Sequence, residues 1–192
     1  ALDQPGIRME SLREDFTKHL ASALKDTGRA ALHLAWQSQG ARALLYEELL
    51  KRVVVPLAEA FGEVELEREL LRVDFALMGR SDRVPRIFVE SENEAWTAVQ
   101  EVRKLCCLAA RLKVLISVVE WDETPGVWHG KGQRGQLLGA WREVVTKHQP
   151  AGEFRGEIVA IVGEWRANGV LRFQCARLDT ADSPDAFMCD IP

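Results

Sequence analysis

Two apolar segments separated by a helical pattern constrain the fold more than any other feature of the chain. Residues 86–92 (RIFVESE) and 112–121 (LKVLISVVEW) are rich in the β-branched and apolar residues that buried strands favour. Between them, Trp96, Val99 and Val102 recur at helical spacing. A strand, a helix and a second strand in this order predict two parallel neighbours joined by a right-handed crossover. We therefore expect an α/β fold with a mixed central sheet flanked by helices.

The other segments fit one domain over residues 1–192, because no linker or shift in composition marks a boundary. We expect N-terminal helices over 9–62, a sheet core over 63–121, a C-terminal helix and hairpin over 122–180, and an extended tail over 181–192.

Local signals add detail to this outline. Residues 64–79 alternate apolar and charged residues and then become continuously apolar, which predicts one strand with a buried second half. Asn93 is placed to cap the helix that follows residues 86–92. The Asn168–Gly169 pair predicts a hairpin turn between two later strands.

Composition narrows the classes of function. The chain has no apolar run of the roughly 18–20 residues that a membrane helix needs, and its start lacks the order of a secretory signal, so we expect a cytoplasmic protein without a membrane partner. Four cysteines give neither a disulfide framework nor paired zinc-ligand spacing. With a formal net charge of −4, binding to nucleic acid would be confined to part of the surface.

The segments VDFALMG and PRIFVESEN place three carboxylates, Asp74, Glu90 and Glu92, in consecutive apolar strands. Glu90 and Glu92 share one face because strand side chains repeat every two residues. A buried, unpaired carboxylate is costly, and a divalent cation would remove that cost. The sequence therefore predicts a Mg²⁺ or Mn²⁺ site here. The alternative is structural: Asp74 pairs with Arg72 or Arg86, and the two glutamates cap the next helix.

The predicted order is a helix, a strand with Asp, a turn, a strand with Glu-x-Glu, a helix and a strand. This order resembles the core of the PD-(D/E)XK nuclease superfamily, which includes restriction endonucleases. The resemblance covers about residues 41–121 and implies a restriction-endonuclease-like three-layer core with Mg²⁺- or Mn²⁺-dependent hydrolysis of nucleic acid. It assigns Asp74 as the metal-binding aspartate and Glu90 as the acidic residue of the second motif. Glu92 stands where most members of the superfamily have lysine.

The resemblance also suggests residues that supplement the two strands. In some relatives a Lys or Gln on the following helix replaces the missing lysine, and Gln100 and Lys104 share one face of that predicted helix. The superfamily often adds a Glu from its first core helix. Glu47 and Glu48 are both candidates, and periodicity does not separate them.

Two groups of basic residues are candidates for contact with phosphates. Lys131 and Arg134 lie in a glycine-rich loop, and Arg80 and Arg86 flank the turn after the first acidic strand. The alternative for the loop is a solvated connection.

Two classes of function follow. The first is a metal-dependent nuclease with a DNA or RNA substrate. The second is a catalytically inactive protein of the same fold that serves as an interaction or assembly module, with a homodimer as one possible form.

Overall fold

Three helices form the first third of the chain: α1 (Met9–Thr27), α2 (Arg29–Gln37) and α3 (Gln39–Phe61). The computed structural model describes residues 9–94, 96–120, 132–148, 156–166, 169–180 and 185–192. Gly28 separates α1 from α2 with a φ of 79°, a conformation that glycine adopts without steric cost. The buried side chains of α1 recur every four residues, at Leu12, Phe16, Leu20 and Leu24. The predicted helical N-terminal third is confirmed.

A seven-stranded mixed sheet follows, and its spatial order is the order of the strands in the chain. The strands are β1 (Val64–Leu70), β2 (Val73–Gly79), β3 (Pro85–Glu92), β4 (Leu112–Glu120), β5 (Glu157–Trp165), β6 (Leu171–Arg177) and β7 (Ala186–Ile191). β3, β4 and β5 are parallel neighbours, and the other adjacent pairs are antiparallel. The parallel pairing of β3 with β4 and the antiparallel β5–β6 pair confirm the sequence predictions. Asn168 of the predicted hairpin turn lies outside the described residues.

The prediction of one strand over residues 64–79 is wrong, because the chain folds back at Leu71 and Arg72. These two residues have φ values of 54° and 66°, and β1 and β2 pair as an antiparallel hairpin on either side of them. Two-residue hairpin turns with positive φ at both positions normally contain glycine or asparagine. Leu and Arg gave no such signal in the sequence.

Two further boundaries differ from the sequence predictions. The segment 181–192, expected to be a tail, contains β7, which pairs with β6 and packs against α1. Asn93 does not cap the next helix, which is α4 (Val99–Cys106); its side-chain amide instead donates to the carbonyl oxygens of Ala35 and Trp36 at the end of α2. Asn93 therefore fastens the end of β3 to α2.

The sheet separates two apolar cores. Side chains of α1, α2 and α3 pack on one face, with Phe16, Leu50 and Phe173 fully buried. On the other face, α4 and α5 (Gly132–His148) pack through Val102 and Trp141. This is a three-layer arrangement of helices, sheet and helices, as the α/β class requires. Within the described ranges, none of the helices combines the length and apolar character required to cross a bilayer. The four cysteines are free thiols.

Candidate functional site

Asp74 and Glu90 meet where the pairing of β2 with β3 ends. The last registered pair is Phe75 with Val89, so Asp74 and Glu90 occupy the next opposing positions. Side chains continue the hydrogen bonding there: the Asp74 N–H donates to Glu90 Oε2 at 3.3 Å. Asp74 Oδ2 accepts from the N–H of Ser91 at 2.9 Å and from its hydroxyl at 2.8 Å. These hydrogen bonds hold the two carboxylates beside each other at the point where β2 and β3 separate.

Glu90 is the more deeply buried member of this pair. It is 1% exposed, on the face of the sheet covered by α4. Burial raises the pKa of its carboxyl to about 8, and the Asp74 charge acts in the same direction, whereas the hydrogen bond from Lys104 lowers that pKa. The neighbouring cation thus only partly offsets the cost of removing this carboxylate from water.

Lys104 is the cation of the site. It extends from α4, and its ammonium forms ion pairs with Glu90 Oε1 and with Glu101 Oε2, the latter at 2.5 Å. It also donates to the carbonyl oxygen of Arg72 at 2.7 Å, in the turn before β2. Of the two helix residues proposed from the sequence, only Lys104 reaches the acidic pair. Gln100 is exposed and accepts a hydrogen bond from Arg103 instead.

Glu92 does not join the other two carboxylates. Its Oε1 lies 3.2 Å from Arg42 Nη1 on α3 and accepts the N–H of Glu94 at 2.8 Å. Within the described ranges, no group of three acidic, histidine or cysteine side chains is arranged to hold a metal ion. The expected trio is therefore an opposed pair, Asp74 and Glu90, with Glu92 directed to the start of α3. Of the two structural partners suggested for Asp74, Arg86 pairs with Asp82 instead.

The two glutamates proposed from the first core helix are occupied elsewhere. Glu47 forms ion pairs with Lys51 at 3.1 Å and with Arg68 of β1 at 3.0 Å. Glu48 is exposed and pairs with Lys51 at 2.7 Å. The structure brings neither carboxylate to Asp74 or Glu90.

The basic residues proposed for phosphate contact do not surround the acidic pair. Arg80 follows β2, six residues beyond Asp74, which corresponds to about 20 Å of extended strand. It pairs with Glu63 at 3.6 Å. Arg86 precedes Glu90 by four residues, or about 13 Å along β3.

Arg134 is at the start of α5 and pairs with two carboxylates, Glu164 at 3.0 Å and Asp185 at 2.8 Å. Lys131 lies outside the described residues. The three described arginines that were proposed for phosphate contact therefore each have an acidic neighbour.

Three residues around the site were not predicted from the sequence: Ser91, Glu101, which pairs with Lys104, and Arg42, which pairs with Glu92. Ser91 lies between Glu90 and Glu92, and strand alternation assigns its side chain to the opposite face of the sheet. Asp74 reaches it only because the strands separate at this point. Arg42 is 50 residues from Glu92 in the chain, and nothing in the local pattern connects them.

Neither a known protein family, nor a curated protein, nor a solved structure matches the chain. The assignment of a function therefore depends on the geometry of the site and on the motif and order of elements in this chain.

Proposed function

We propose that Asp74, Glu90 and Lys104 form a divalent-metal centre that hydrolyses phosphodiester bonds in nucleic acid. The observation that carries the proposal is the opposition of two carboxylates at the end of the β2–β3 ladder, with a lysine ammonium against one of them. This centre would sit in a restriction-endonuclease-like core formed by α3, β1, β2, β3, α4 and β4.

The order of elements supports that core. A helix precedes an antiparallel set of three strands, and a crossover helix then leads to a parallel fourth strand. The sequence resemblance to PD-(D/E)XK nucleases implies the order helix, strand with Asp, strand with Glu, helix and strand, which α3, β2, β3, α4 and β4 follow, with β1 as an additional strand before β2. Lys104 comes from the helix that, in some relatives, supplies the missing lysine.

The donor set suits Mg²⁺ or Mn²⁺. Magnesium binds through one or two carboxylates, keeps several waters and takes further oxygens from a substrate phosphate, so two carboxylates are sufficient. When bound, the ion would activate a water molecule and stabilise charge on the phosphate. Ser91 would hold Asp74 in position through its two donors, and Lys104 would offset the negative charge of Glu90 and of an approaching phosphate.

A second function is favoured by one specific observation. Lys104 already pairs with Glu90, and Arg42 already pairs with Glu92, so these two glutamates have cationic partners without a metal. A catalytically inactive assembly module of this fold would need no more. Metal binding separates the two functions, because only the first requires an ion at Asp74 and Glu90.

Calorimetric titration of Mn²⁺ and Mg²⁺ into the wild type and Asp74→Asn tests the metal centre. Asparagine keeps an acceptor for Ser91 but removes the charge, so the fold should remain while the binding heat disappears. Glu143→Gln is the control, since this exposed glutamate on α5 pairs with Lys147 on the same helix. Cleavage of single-stranded DNA, duplex DNA and RNA is measured on the same proteins. Absence of both heat and cleavage in the wild type would refute the catalytic function and leave the assembly module.

A further inference from the structure

A cleft of about 470 Å³ is walled by three aromatic rings, two of which, Trp36 and Trp165, pack against the core on the α1–α3 side of the sheet. We call it the aromatic cleft and define it by Arg29, His33, Trp36, Trp165 and Gly169. The His33 ring stands edge-on to Trp165, with centroids 5.4 Å apart and planes at 83°. Trp36 lies 6.1 Å from each of the other two rings. The volume of the aromatic cleft is within the range of about 300–1,000 Å³ for ligand pockets.

The chemistry of these walls suits a flat heterocycle that is joined to a negatively charged phosphate. Aromatic faces stack on planar heterocycles, and a guanidinium binds phosphate. Arg29 uses one donor on the carbonyl oxygen of Gly169 at 3.0 Å, and a guanidinium has five. A quaternary ammonium fits poorly, because the described lining contains this cation and no carboxylate.

The spacing of the rings determines how such a ligand would lie. The three rings are already in mutual contact, because their centroids are 5.4–6.1 Å apart, so no flat ligand can insert between them. A base would therefore stack on the outer aromatic surface, with its phosphate directed to Arg29.

Trp36 brings the aromatic cleft close to the end of β3, the strand that carries Glu90. This tryptophan also lines a second cavity of about 360 Å³, together with Arg42, Glu92 and Asn93. Asn93 Nδ2 donates to the carbonyl oxygen of Trp36 at 2.6 Å. Asn93 lies three residues after Glu90 in the chain, a distance of about 10 Å along an extended strand. The cleft and Glu90 are therefore both near the end of β3, on opposite faces of the sheet.

We propose that the aromatic cleft binds an unpaired base of single-stranded nucleic acid. This inference rests on the proposed function for the choice of a polymer, whereas the cleft itself requires only a base with a phosphate. An unpaired base is needed because the stacking faces of a paired base inside a duplex are covered by its neighbours.

Binding without catalysis tests the cleft separately from the metal centre. Fluorescence anisotropy of labelled single-stranded DNA and RNA, the matching duplexes and a labelled mononucleotide is measured in EDTA at several salt concentrations. The cleft variants are His33→Ala and Arg29→Glu, both at exposed positions. Their matched controls are Phe187→Ala, an exposed aromatic on β7, and Arg111→Glu, an exposed arginine before the start of β4.

We expect single strands to bind more tightly than duplexes, and His33→Ala to weaken binding at least about fivefold. Arg29→Glu should also reduce the slope of log K against log salt by about 0.7, the value for one phosphate contact with a single strand. Both controls should bind like the wild type. Trp36→Phe keeps a ring in the cleft and should lose less affinity than His33→Ala.

Three results would overturn the inference. The first is no binding of single strands by the wild type in EDTA at low salt. The second is equal binding by the cleft variants and the wild type. The third is a mononucleotide that binds as tightly as the oligonucleotides, which would assign the cleft to a free nucleotide. If binding follows these expectations while Asp74→Asn and the wild type both fail to bind metal or cleave, the cleft stands and the hydrolytic function fails.

Discussion

Substitution of Glu90 by glutamine should change how the stability of the metal-free protein depends on pH. In the folded protein the pKa of Glu90 is about 8, because burial disfavours the charged form, against an ordinary value of 4.5. Between these two values the folded state holds a proton that the unfolded state has released. The group therefore contributes full stability below pH 4.5, and this contribution is lost as pH rises through 8.

The size of the effect follows from the two pKa values. One pKa unit corresponds to about 1.4 kcal/mol, so a difference from 4.5 to about 8 gives an upper limit of roughly 5 kcal/mol. Solvent screening reduces this little, since Glu90 is 1% exposed. Glutamine keeps the shape and an acceptor for the Asp74 N–H but does not titrate. Relative to the wild type, Glu90→Gln should therefore become progressively more stable from pH 5 to pH 8.

Urea denaturation in EDTA at pH 5, 6, 7 and 8, followed by tryptophan fluorescence, measures this difference. Glu143→Gln is the control: the hydrogen bond from Lys147 lowers the pKa of Glu143, so its titration lies below the range studied. The control should show the same pH profile as the wild type. If the profiles of Glu90→Gln and the wild type are parallel, Glu90 does not carry a raised pKa and the account of its burial is wrong.

Three further predictions concern the site and the fold. Ser91→Ala removes the hydroxyl donor to Asp74 and should weaken Mn²⁺ binding by roughly 10–100-fold in calorimetry; unchanged affinity would mean that Ser91 does not orient a ligand. Burial lowers the pKa of Lys113 to about 8, so wild-type stability should rise from pH 8 to 10.5 by up to about 3 kcal/mol, and urea denaturation of Lys113→Met should lack this rise. Gly156 has a φ of 90°, and a Cβ there would overlap the carbonyl oxygen of Ala110, so Gly156→Ala should lower the melting temperature; an unchanged value would show that the backbone adapts.

Patterns confined to one strand or one helix were predictable from the sequence. Strand β4 was recognised from a continuous β-branched run, and its parallel pairing with β3 followed from the helix between them. The hairpin at Leu71 and Arg72 was not predictable, because residues of these types rarely adopt positive φ and tertiary contacts must favour the turn. Strand β7 was missed for a related reason: a short strand at a sheet edge depends on its neighbour more than on its own composition.

The candidate site shows the same division between local and long-range determinants. The opposition of Asp74 and Glu90 agrees with the sequence prediction that these carboxylates lie in consecutive strands. The separation of Glu92 from that pair was not predictable, because Glu92 pairs with Arg42, which lies 50 residues earlier in the chain. Alternation along a strand assigns a face, but it does not state where the strand ends. Glu92 is the last residue of β3, where alternation no longer determines which neighbour the side chain meets.

The hydrogen bonds of the acidic pair decide which variants can test its chemistry. Glu90 accepts the backbone N–H of Asp74, and Asp74 accepts the backbone N–H of Ser91, so each carboxylate replaces an acceptor that the β2–β3 ladder no longer supplies. Alanine at either position would leave a partly buried N–H without that acceptor, at a cost of about 1–3 kcal/mol. Loss of activity in an alanine variant would then report on strand ends as much as on a metal. Asparagine and glutamine keep an acceptor and remove the charge, so only these variants separate the structural role of the pair from its proposed role as a metal ligand.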